Sequence, residues 1–421
     1  MAGTALDYLK TAASRGSKLG LERTAELMER LGSPQESLPV IHIAGTNGKG
    51  SFGAMLSSVL TCAGYKTGSF SSPALTGVTD SFRINGQEIS PRLLGEVLEQ
   101  TILHAEAMAD KPTEFEVLTA AAYQLFRQEG CDLAVVECGM GGDGDSTNVV
   151  SSPLLSVITN VQLDHAGFLG DTVAEIAGHK AGIIKAGRPV LFGGDDPDAL
   201  RIVRERAESL GSPLTVTDLG RLKVGSMSAA GTDLSFAGMG SFHIGLLGTY
   251  QPLNTANVLT AVELLRSEGL TITDQALKDG LAGAKWHGRF EVLRRDPLVI
   301  FDGSHNPDGI RCAADSIRLY FGEKPVVLLI GVMADKDYGL YGEMLRELAK
   351  CAFTVEPDNP RALDSEALAE SLAEKGIPSK AYKDLGEGVR EAFACAKENS
   401  LPLIALGSLY MYKELTQELP E

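Results

Sequence analysis

Short apolar runs alternate with amphipathic helical patterns along the first half of the chain. The apolar runs cover 40–44, 133–137, 154–159 and 189–192, and the helical patterns include 51–63 and 116–128. Strands that are buried on both faces form nearly continuous apolar runs, and the helices between them connect parallel neighbours. The pattern therefore predicts an α/β domain built on a mostly parallel sheet.

The pattern changes between 211 and 248, where short β-prone pieces stand among many Gly and Ser residues. Two of these pieces are 214–216 and 242–244. Short strands separated by turn residues are typical of antiparallel hairpins. We expect a small antiparallel β subdomain in this segment.

A second alternating series begins near 297. Its strand-like runs cover 298–301, 326–330, 352–355 and 403–406, and its helical patterns cover 341–351, 364–375 and 386–397. This series predicts a complete Rossmann-like α/β domain of ordinary size. We therefore expect a first domain over 1–294 and a second over 297–421, with the active site in the cleft between them.

Length and composition narrow the classes of function. A chain of 421 residues exceeds the size at which one core keeps growing, which fits two domains. A net charge of −17 without a Lys/Arg-rich block argues against nucleic acid as a general partner, and no apolar stretch reaches membrane-spanning length. The six cysteines lack C-x-x-C spacing, so they suggest neither a zinc site nor a disulfide framework. We expect a cytoplasmic monomer.

The first apolar run leads directly into a glycine loop that carries a lysine and hydroxyls. Glycines let backbone N–H groups approach phosphate oxygens, and a lysine neutralises phosphate charge. The helix that follows adds the positive end of its dipole. A glycine turn without a phosphate is the alternative, but the pattern favours a loop that binds a nucleoside triphosphate, with a serine available to Mg²⁺. The loop consists of Gly45, Thr46, Asn47, Gly48, Lys49, Gly50 and Ser51.

Glu137 ends the apolar run 133–137, immediately before a glycine turn. A carboxylate at the end of a buried strand commonly holds Mg²⁺ opposite a phosphate loop, because Mg²⁺ prefers oxygen ligands. Taken alone, Glu137 fits equally well as a strand-end residue with internal hydrogen bonds. Beside the glycine loop we favour a metal ligand.

Two further motifs carry less weight by themselves. The run 158–165 ends in Asp164 and His165, but a single histidine is more often structural than a ligand of Mg²⁺. Lys180 lies in a short helical pattern over 179–185, where a surface lysine is the ordinary interpretation.

An arginine and an Asp/His pair mark the start of the second domain. Arg289 lies on the linker, and Asp302 and His305 follow the run 298–301. Such side chains can reach a nucleotide when two domains close. A simple Asx-turn is the alternative for Asp302.

In this order and at these separations, the motifs resemble the bacterial folylpolyglutamate synthase/dihydrofolate synthase family of the Mur ligase superfamily. The resemblance covers nearly the whole chain. Besides the glycine loop and Glu137, it includes Leu21-Glu22-Arg23, Ser72-Pro73, Phe115-Glu116, Asp145 with Thr147-Asn148, Leu163-Asp164-His165, Lys180-Ala181-Gly182-Ile183, Gln251 with Asn254, His287-Gly288-Arg289, Asp302-Gly303 with His305-Asn306-Pro307, Asp335-Lys336-Asp337 and Gly407-Ser408-Leu409-Tyr410.

The resemblance implies an ATP-dependent ligase that phosphorylates a substrate carboxylate and then joins it to the amine of L-glutamate. The implied acceptors are dihydropteroate and folates, and the implied cofactors are ATP and Mg²⁺, with Mn²⁺ as a substitute. By resemblance, Lys49, Lys180, His165 and His305 are catalytic, Ser51, Ser72, Glu137 and His165 hold metal, and Lys180 is carbamylated. Asn254 lies near adenine, Arg289 and Asp302 hold phosphate and ribose, Phe115 and Asp145 hold the pterin, and His305 and Ser408 face glutamate.

Four positions depart from the family pattern. Ala74 and Tyr250 stand where histidine is usual, Asp143 replaces an arginine, and His179 replaces a glutamate. The Asp143 change alters local charge by two units, which should disfavour a multiply charged glutamyl tail. We therefore expect dihydrofolate synthesis to exceed tail extension.

Two alternatives differ from a bifunctional folate ligase. One is a ligase with a single activity, or a Mur-type ligase with another carboxylate acceptor. The other is a non-catalytic ATP-binding regulatory protein, which would have no need for Glu137, His165, Lys180 and the Asp302/His305 pair together. Release of ADP with and without dihydropteroate plus glutamate separates these hypotheses.

Overall fold

The computed structural model describes residues 2–163 and 168–420. Its elements up to residue 216 are α1 (Ala2–Ala13), α2 (Glu22–Arg30), β1 (Val40–Ala44), α3 (Lys49–Cys62), β2 (Thr67–Phe70), β3 (Phe82–Ile84), β4 (Gln87–Glu88), α4 (Pro91–Glu106), α5 (Glu114–Gln128), β5 (Leu133–Glu137), β6 (Leu155–Ile158), α6 (Val173–Ala181), β7 (Val190–Phe192), α7 (Pro197–Ser209) and β8 (Leu214–Val216).

The remaining elements are β9 (Leu222–Ser228), β10 (Gly231–Phe236), β11 (Gly240–Ile244), α8 (Gln251–Ser267), α9 (Asp274–Gly283), β12 (Glu291–Arg295), β13 (Leu298–Asp302), α10 (Pro307–Phe321), β14 (Val326–Ile330), α11 (Tyr341–Leu345), β15 (Ala349–Val355), α12 (Ser365–Glu374), β16 (Ser379–Tyr382), α13 (Leu385–Asn399), β17 (Leu403–Leu406) and α14 (Tyr412–Glu418). None of the helices within the described residues is long and apolar enough to cross a membrane.

The chain divides into two compact units. The first contains 1–223, 234–243 and 253–284, and the second contains 224–233, 244–252 and 285–421. This division differs from the expected boundary at 294–297. The physical reason is that β12 pairs antiparallel with β13, which places the residues just before 297 in the sheet of the second unit.

The sheet of the first unit has eight strands in the order β4-β3-β2-β5-β1-β6-β7-β8. The six neighbouring strands β2, β5, β1, β6, β7 and β8 pair in parallel. At one edge of the sheet, β3 pairs antiparallel with β2, and β4 pairs antiparallel with β3. One apolar cluster packs α1, α4 and α5 against this sheet, and another packs α6 and α7 against its β6 and β7 side. The prediction of a mostly parallel α/β domain is confirmed.

One strand of this sheet was expected elsewhere. We expected 214–216 in the antiparallel insertion, but it forms β8 and pairs in parallel with β7, with Leu214 opposite Val190. The β insertion is therefore shorter than expected and consists of β9, β10 and β11, which form a three-stranded sheet in the order β11-β10-β9.

The second unit contains a six-stranded sheet in the order β12-β13-β17-β14-β15-β16. All neighbours except β12 and β13 pair in parallel, as a Rossmann-like domain requires. The expected helix over 341–351 is wrong in its second half, because α11 ends at Leu345 and β15 begins at Ala349. Backbone pairing of Ala349 with Val326 of β14 favours the strand there.

Candidate active site

The glycine loop connects buried strand β1 to helix α3 in the first unit. Gly45 has φ +155° and Gly48 has φ +86°. A Cβ on Gly45 would lie 1.9 Å from Oγ1 of Thr159, and one on Gly48 would lie 2.5 Å from Oδ1 of Asn254. Only glycine fits these two positions, so the sequence of the loop is required by its close contacts.

The loop is held by the segment that follows β6. Thr46 N donates to Asn160 O at 3.1 Å, and Asn47 N donates to Asn160 Oδ1 at 2.8 Å. The hydroxyl of Thr159 donates to Asn47 O at 2.7 Å. These contacts fix the loop conformation through two residues, Thr159 and Asn160, that the motif itself does not contain.

Lys49 is the first residue of α3, and it faces the end of β5. Its Nζ donates to Gly45 O at 3.0 Å and Thr46 O at 3.3 Å, and it lies 3.9 Å from Oε1 of Glu137. Glu137 is only 7% exposed. The structure therefore brings together the predicted phosphate-binding lysine and the predicted metal ligand.

Lys180 lies in the last turn of α6 and is 3% exposed. It lines the same pocket as the glycine loop, so it is not a surface lysine. The lining residues of this pocket are Gly45, Thr46, Lys49, Cys138, Gly139, Met140, Gly141 and Lys180. Two lysines around one small pocket suit an anionic ligand.

The structure describes two of the other three predicted metal ligands. Ser51 is buried in α3. Ser72 follows β2, which is the parallel neighbour of β5, so it lies at the same sheet edge as Glu137. His165 lies outside the described residues, as does Asp164, and its role stays a prediction.

Asp145 stabilises the loop after β5 by accepting hydrogen bonds from residues of that loop. Asp145 Oδ2 accepts a hydrogen bond from Met140 N at 2.8 Å, and its Oδ1 accepts from Thr147 N at 3.0 Å and from the Thr147 hydroxyl at 2.5 Å. Burial raises the pKa of Asp145, while these hydrogen bonds oppose the shift. The predicted contact of this carboxylate with a pterin would have to use its remaining acceptor capacity.

Beneath this loop lies a buried polar network that the sequence did not lead us to predict. His42 Nε2 lies 2.8 Å from the Thr147 hydroxyl and 3.2 Å from Cys138 Sγ, and the Tyr123 hydroxyl donates to Thr147 O at 2.9 Å. Burial lowers the pKa of His42 to about 3, so this imidazole is neutral at physiological pH. The one polar residue inside the apolar run 40–44 was the signal that could have revealed it.

Phe115 lies beside Gly139, one of the residues that line the pocket, where its ring could contact a bound substrate. A Cβ on Gly139 would lie 2.7 Å from Cζ of Phe115, and the ring stacks on Phe70 at 5.9 Å between centroids. The next residue, Glu116, closes a capping box with Thr113 and accepts from Arg23 Nε at 2.9 Å. Arg23 thus fixes the start of α5.

Asn254 contacts the glycine loop, since its amide lies against Gly48. Its expected place near adenine stays a prediction.

In the second unit, Asp302 ends β13 and is completely buried. Its Oδ2 accepts from the Tyr250 hydroxyl at 2.7 Å and from Phe290 N at 2.9 Å. Its Oδ1 accepts from Ser304 N at 2.8 Å and from the Ser304 hydroxyl. Four donors therefore occupy this carboxylate, and contact with a ribose would require one of them to move.

The other predicted residues of this unit lie near the same edge. The Arg289 guanidinium packs against Gly303, where a Cβ would lie 2.5 Å from Nη1 of the arginine. His305 Nδ1 donates to Gly303 O at 2.9 Å. Ser408 is buried directly beyond β17, the parallel neighbour of β13. The structure therefore gathers Arg289, Asp302, His305 and Ser408 at one edge of the second sheet.

Two of the four departures from the family pattern contact each other. His179 Nδ1 lies 2.9 Å from Oδ1 and 3.0 Å from Oδ2 of Asp143. A histidine N–H that donates to the carboxylate offsets part of its charge. Of the other two, Tyr250 donates a hydrogen bond to Asp302, and Ala74 lies in the loop after β2.

Comparison with known proteins places these motifs in a family. The Mur ligase middle domain matches residues 43–264, and the Mur ligase glutamate ligase domain matches residues 288–408. A relative named dihydrofolate synthase/folylpolyglutamate synthase from Bacillus subtilis is 35% identical over 416 residues, 96% of each chain. The chain belongs to the dihydrofolate synthase/folylpolyglutamate synthase family of Mur ligases. A folylpolyglutamate synthase from Lacticaseibacillus casei is 33% identical over 98% of this Mur ligase and 99% of the relative.

Solved structures agree with this assignment. Folylpolyglutamate synthase from Mycobacterium tuberculosis, complexed with ADP and AMPPCP, superposes with a TM-score of 0.90 at 28% identity and full coverage of both chains. FolC from E. coli, in complex with DHPP and ADP, superposes with a TM-score of 0.85 at 29% identity, covering 99% of this Mur ligase and 97% of that chain.

Proposed function

We propose that this Mur ligase uses ATP to join L-glutamate to the carboxylate of dihydropteroate, and to the γ-carboxylate of folates. The observation that carries the proposal is the pocket lined by Lys49 and Lys180, in which Lys49 also lies 3.9 Å from Glu137 at the end of β5. The names of the relatives, and the ADP bound in solved relatives, support ATP and folate as substrates.

The chemistry solves a leaving-group problem. A carboxylate oxygen does not leave to an amine at neutral pH, so the γ-phosphate of ATP is first transferred to it, giving an acyl phosphate and ADP. The glutamate amine then attacks the acyl carbon, phosphate leaves, and the amine loses its proton. Lys49 and the backbone N–H groups of the loop would stabilise charge on the transferred phosphoryl group.

Oxygen-bearing side chains on and beside the glycine loop fit a magnesium ion. Ser51 and Ser72 offer hydroxyl oxygens, and Glu137 offers a carboxylate that lies beside the glycine loop; these are the hard oxygen donors that Mg²⁺ prefers. By resemblance, His165 would serve a second metal site together with Glu137. When bound, Mg²⁺ or Mn²⁺ would neutralise charge on the phosphates. Anomalous diffraction from Mn²⁺-soaked crystals with an ATP analogue tests both Glu137 and His165.

Lys180 is proposed to carry a carbamate, which would turn its ammonium into a carboxylate made from CO₂. Carbamate formation needs the neutral amine, and the 3% exposure of Lys180 favours it by desolvation. Lys180→Ala should lose activity and regain part of it when short carboxylates are added.

For the acceptor, Phe115 at the start of α5 offers an apolar face to a pterin ring, and Asp145 in the loop after β5 offers acceptor oxygens. Asp143 should disfavour anionic glutamyl tails, so we expect dihydrofolate synthesis to exceed tail extension. In the second unit, Arg289 and Asp302 would serve the nucleotide, and His305 and Ser408 would face glutamate. The enzyme is further proposed to act as a cytoplasmic monomer.

A single experiment tests the proposal against its alternatives. Purified enzyme with ATP and Mg²⁺ should release ADP only when dihydropteroate and glutamate are both present, with the product verified by mass spectrometry. In parallel, the same assay is run with other carboxylate substrates in place of dihydropteroate. Ligation of a different acceptor alone would favour another Mur-type ligase, and no substrate-dependent ADP release at all would favour a regulatory protein.

A further inference from the structure

Lys180 depends on the loop after β5 for its position, because that loop is joined to the last turn of α6. Asp143 N donates to His179 O at 2.9 Å. A Cβ on Gly142 would lie 2.6 Å from His179 O, and one on Gly182 would lie 2.5 Å from Cα of Asp143. Two glycines therefore let the two backbones come into direct contact on either side of Lys180.

Asn148 links the two backbones at this contact. Its Nδ2 donates to Asp143 O at 3.1 Å and to Gly182 O at 3.2 Å. The backbone carbonyl oxygen of Asn148 accepts from Lys185 Nζ at 3.2 Å. Asn148 is 4% exposed, so water cannot easily replace these bonds. The side-chain amide thus holds the loop and the end of α6 together, and the backbone carbonyl of the same residue holds the segment that follows.

We propose that Asn148 is a positioning residue for Lys180, and that it keeps the Lys180 amine in the phosphate pocket where a carbamate can form. This inference rests on the proposed function. The two N–H bonds of the Asn148 amide match two carbonyl acceptors, and no other uncharged side chain of the same size offers both donors. The side-chain contact between Asp143 and His179 adds a further bond between the loop after β5 and the last turn of α6.

The test replaces Asn148 by aspartate, which keeps the shape but points a carboxylate oxygen at two carbonyl oxygens. Enzyme incubated with ¹³C-labelled bicarbonate is examined by ¹³C NMR for the Lys180 carbamate, with Lys180→Ala as the blank. We expect the carbamate signal of Asn148→Asp to fall at least tenfold and kcat to fall at least tenfold, with KM for ATP changed less than threefold. Gln128→Glu, an exposed amide-to-acid change in α5, is the matched control.

The outcomes separate this inference from the proposed function. A carbamate in the wild type that persists unchanged in Asn148→Asp overturns the positioning role and leaves the ligase proposal intact. No carbamate in the wild type overturns the assignment of Lys180 and this inference with it, whereas ADP release still reports on the ligase. If Asn148→Asp does not fold, Asn148→Ser, which keeps one donor, should show an intermediate loss.

A different observation in the second unit carries a second inference. Cys351 of β15 and Cys395 of α13 place their Sγ atoms 3.7 Å apart, and both side chains are partly exposed. The two thiols therefore touch without being bonded, on two elements that pack together in the native unit. An S–S bond is about 2.05 Å long, so the two sulfurs would have to approach each other by about 1.7 Å.

We infer that Cys351 and Cys395 form an oxidation site that takes a peroxide and closes to an intramolecular disulfide. Peroxide oxidises one thiol to a sulfenic acid and releases water. The second sulfur then attacks the first, loses its proton, and a second water leaves, so that two thiols and one peroxide give one disulfide and two waters.

The site should affect stability rather than catalysis. Cys351 is level with Val327, Leu403 and Val299 across the sheet. It is therefore three residues, about 10 Å, before the strand end at which Asp302 lies. A disulfide that closes a long loop stabilises mainly by restricting the unfolded chain.

Treatment of the native enzyme with hydrogen peroxide tests this site. Peptide mass spectrometry without reductant should show the Cys351 and Cys395 peptides linked with loss of two hydrogens, and reductant should reverse it. The melting temperature should rise by about 5 °C, with kcat/KM changed less than twofold. Cys351→Ser and Cys395→Ser should abolish the link, and Cys62, an exposed single thiol, should give none. Separate sulfinic acids on both cysteines without a link would overturn the inference.

Discussion

The two units place a carboxylate at the end of a parallel strand in the same topological position, but they use it differently. Glu137 ends β5 beside the glycine loop and faces Lys49 across 3.9 Å. Asp302 ends β13 and accepts hydrogen bonds from Tyr250, Phe290 and Ser304. Strand-end position predicts where a carboxylate lies, whereas the surrounding groups decide its role: Glu137 faces a lysine of the glycine loop, and Asp302 holds backbone and hydroxyl donors of its own unit.

Asp145 shows that the same distinction applies within one unit. It lies only eight positions after Glu137 in the printed sequence, yet three donors from its own loop engage it. A carboxylate with several internal donors mainly shapes the backbone around the site. We therefore expect substitutions of the two groups to give different phenotypes.

The largest effect should come from Lys49, the cation that faces Glu137. Lys49→Ala should lower kcat about a thousandfold or more, because the ammonium stabilises charge on the transferring phosphoryl group rather than the core. Steady-state ADP release measures the loss, and circular dichroism verifies the fold. The exposed Lys10→Ala is the control. A folded Lys49→Ala enzyme with more than a tenth of wild-type turnover would contradict the assignment.

Paired amide substitutions test the comparison directly. Glu137→Gln should lower kcat about a hundredfold and change the free energy of unfolding by less than about 1 kcal/mol, since its role is toward a ligand. Asp302→Asn should destabilise the second unit by about 2–4 kcal/mol, because an NH₂ group would face at least one of the four donors. Urea unfolding and ADP release, measured on both variants, distinguish them. Equal stability losses in the two would refute the distinction.

The buried His42 should make stability depend on pH. Its pKa is lowered to about 3 in the folded state from 6.5, so between these values the unfolded chain binds the extra proton. The free energy of unfolding should therefore decrease as pH falls from 6.5, by about 1.4 kcal/mol per pH unit from this group. Urea titrations of wild type and His42→Gln measure the slope, with His104→Gln as control. An unchanged slope in His42→Gln would assign the effect to other groups.

The smallest expected effect concerns Asp143 and the choice of acceptor. Asp143→Arg should narrow the gap between dihydrofolate synthesis and tail extension by about fivefold, which corresponds to about 1 kcal/mol, and more at low salt. Matched assays with dihydropteroate and a reduced folate measure the ratio. Glu208→Arg, the same charge change on the exposed end of α7, should leave it unchanged. Tail extension as fast as dihydrofolate synthesis in the wild type would refute the charge argument.

The amino-acid sequence determined the local features whose cause is local. The glycine loop, its lysine and its position between β1 and α3 follow from neighbouring residues, because glycine conformations and helix starts depend on short-range geometry. The parallel sheets follow from continuous apolar runs separated by helices. The helix expected over 341–351 failed because strand pairing with β14 overrides local propensity after Leu345.

Only the tertiary structure decided which polar groups meet. Asp143 and His179 were separate departures in the sequence, and they form one contact between residues that lie 36 positions apart. His42 lies beneath the loop that carries Asp145 only because β1 and β5 are neighbours. Hydrogen bonding depends on distances of a few tenths of an ångström across chain segments, and spacing along the sequence carries no such information.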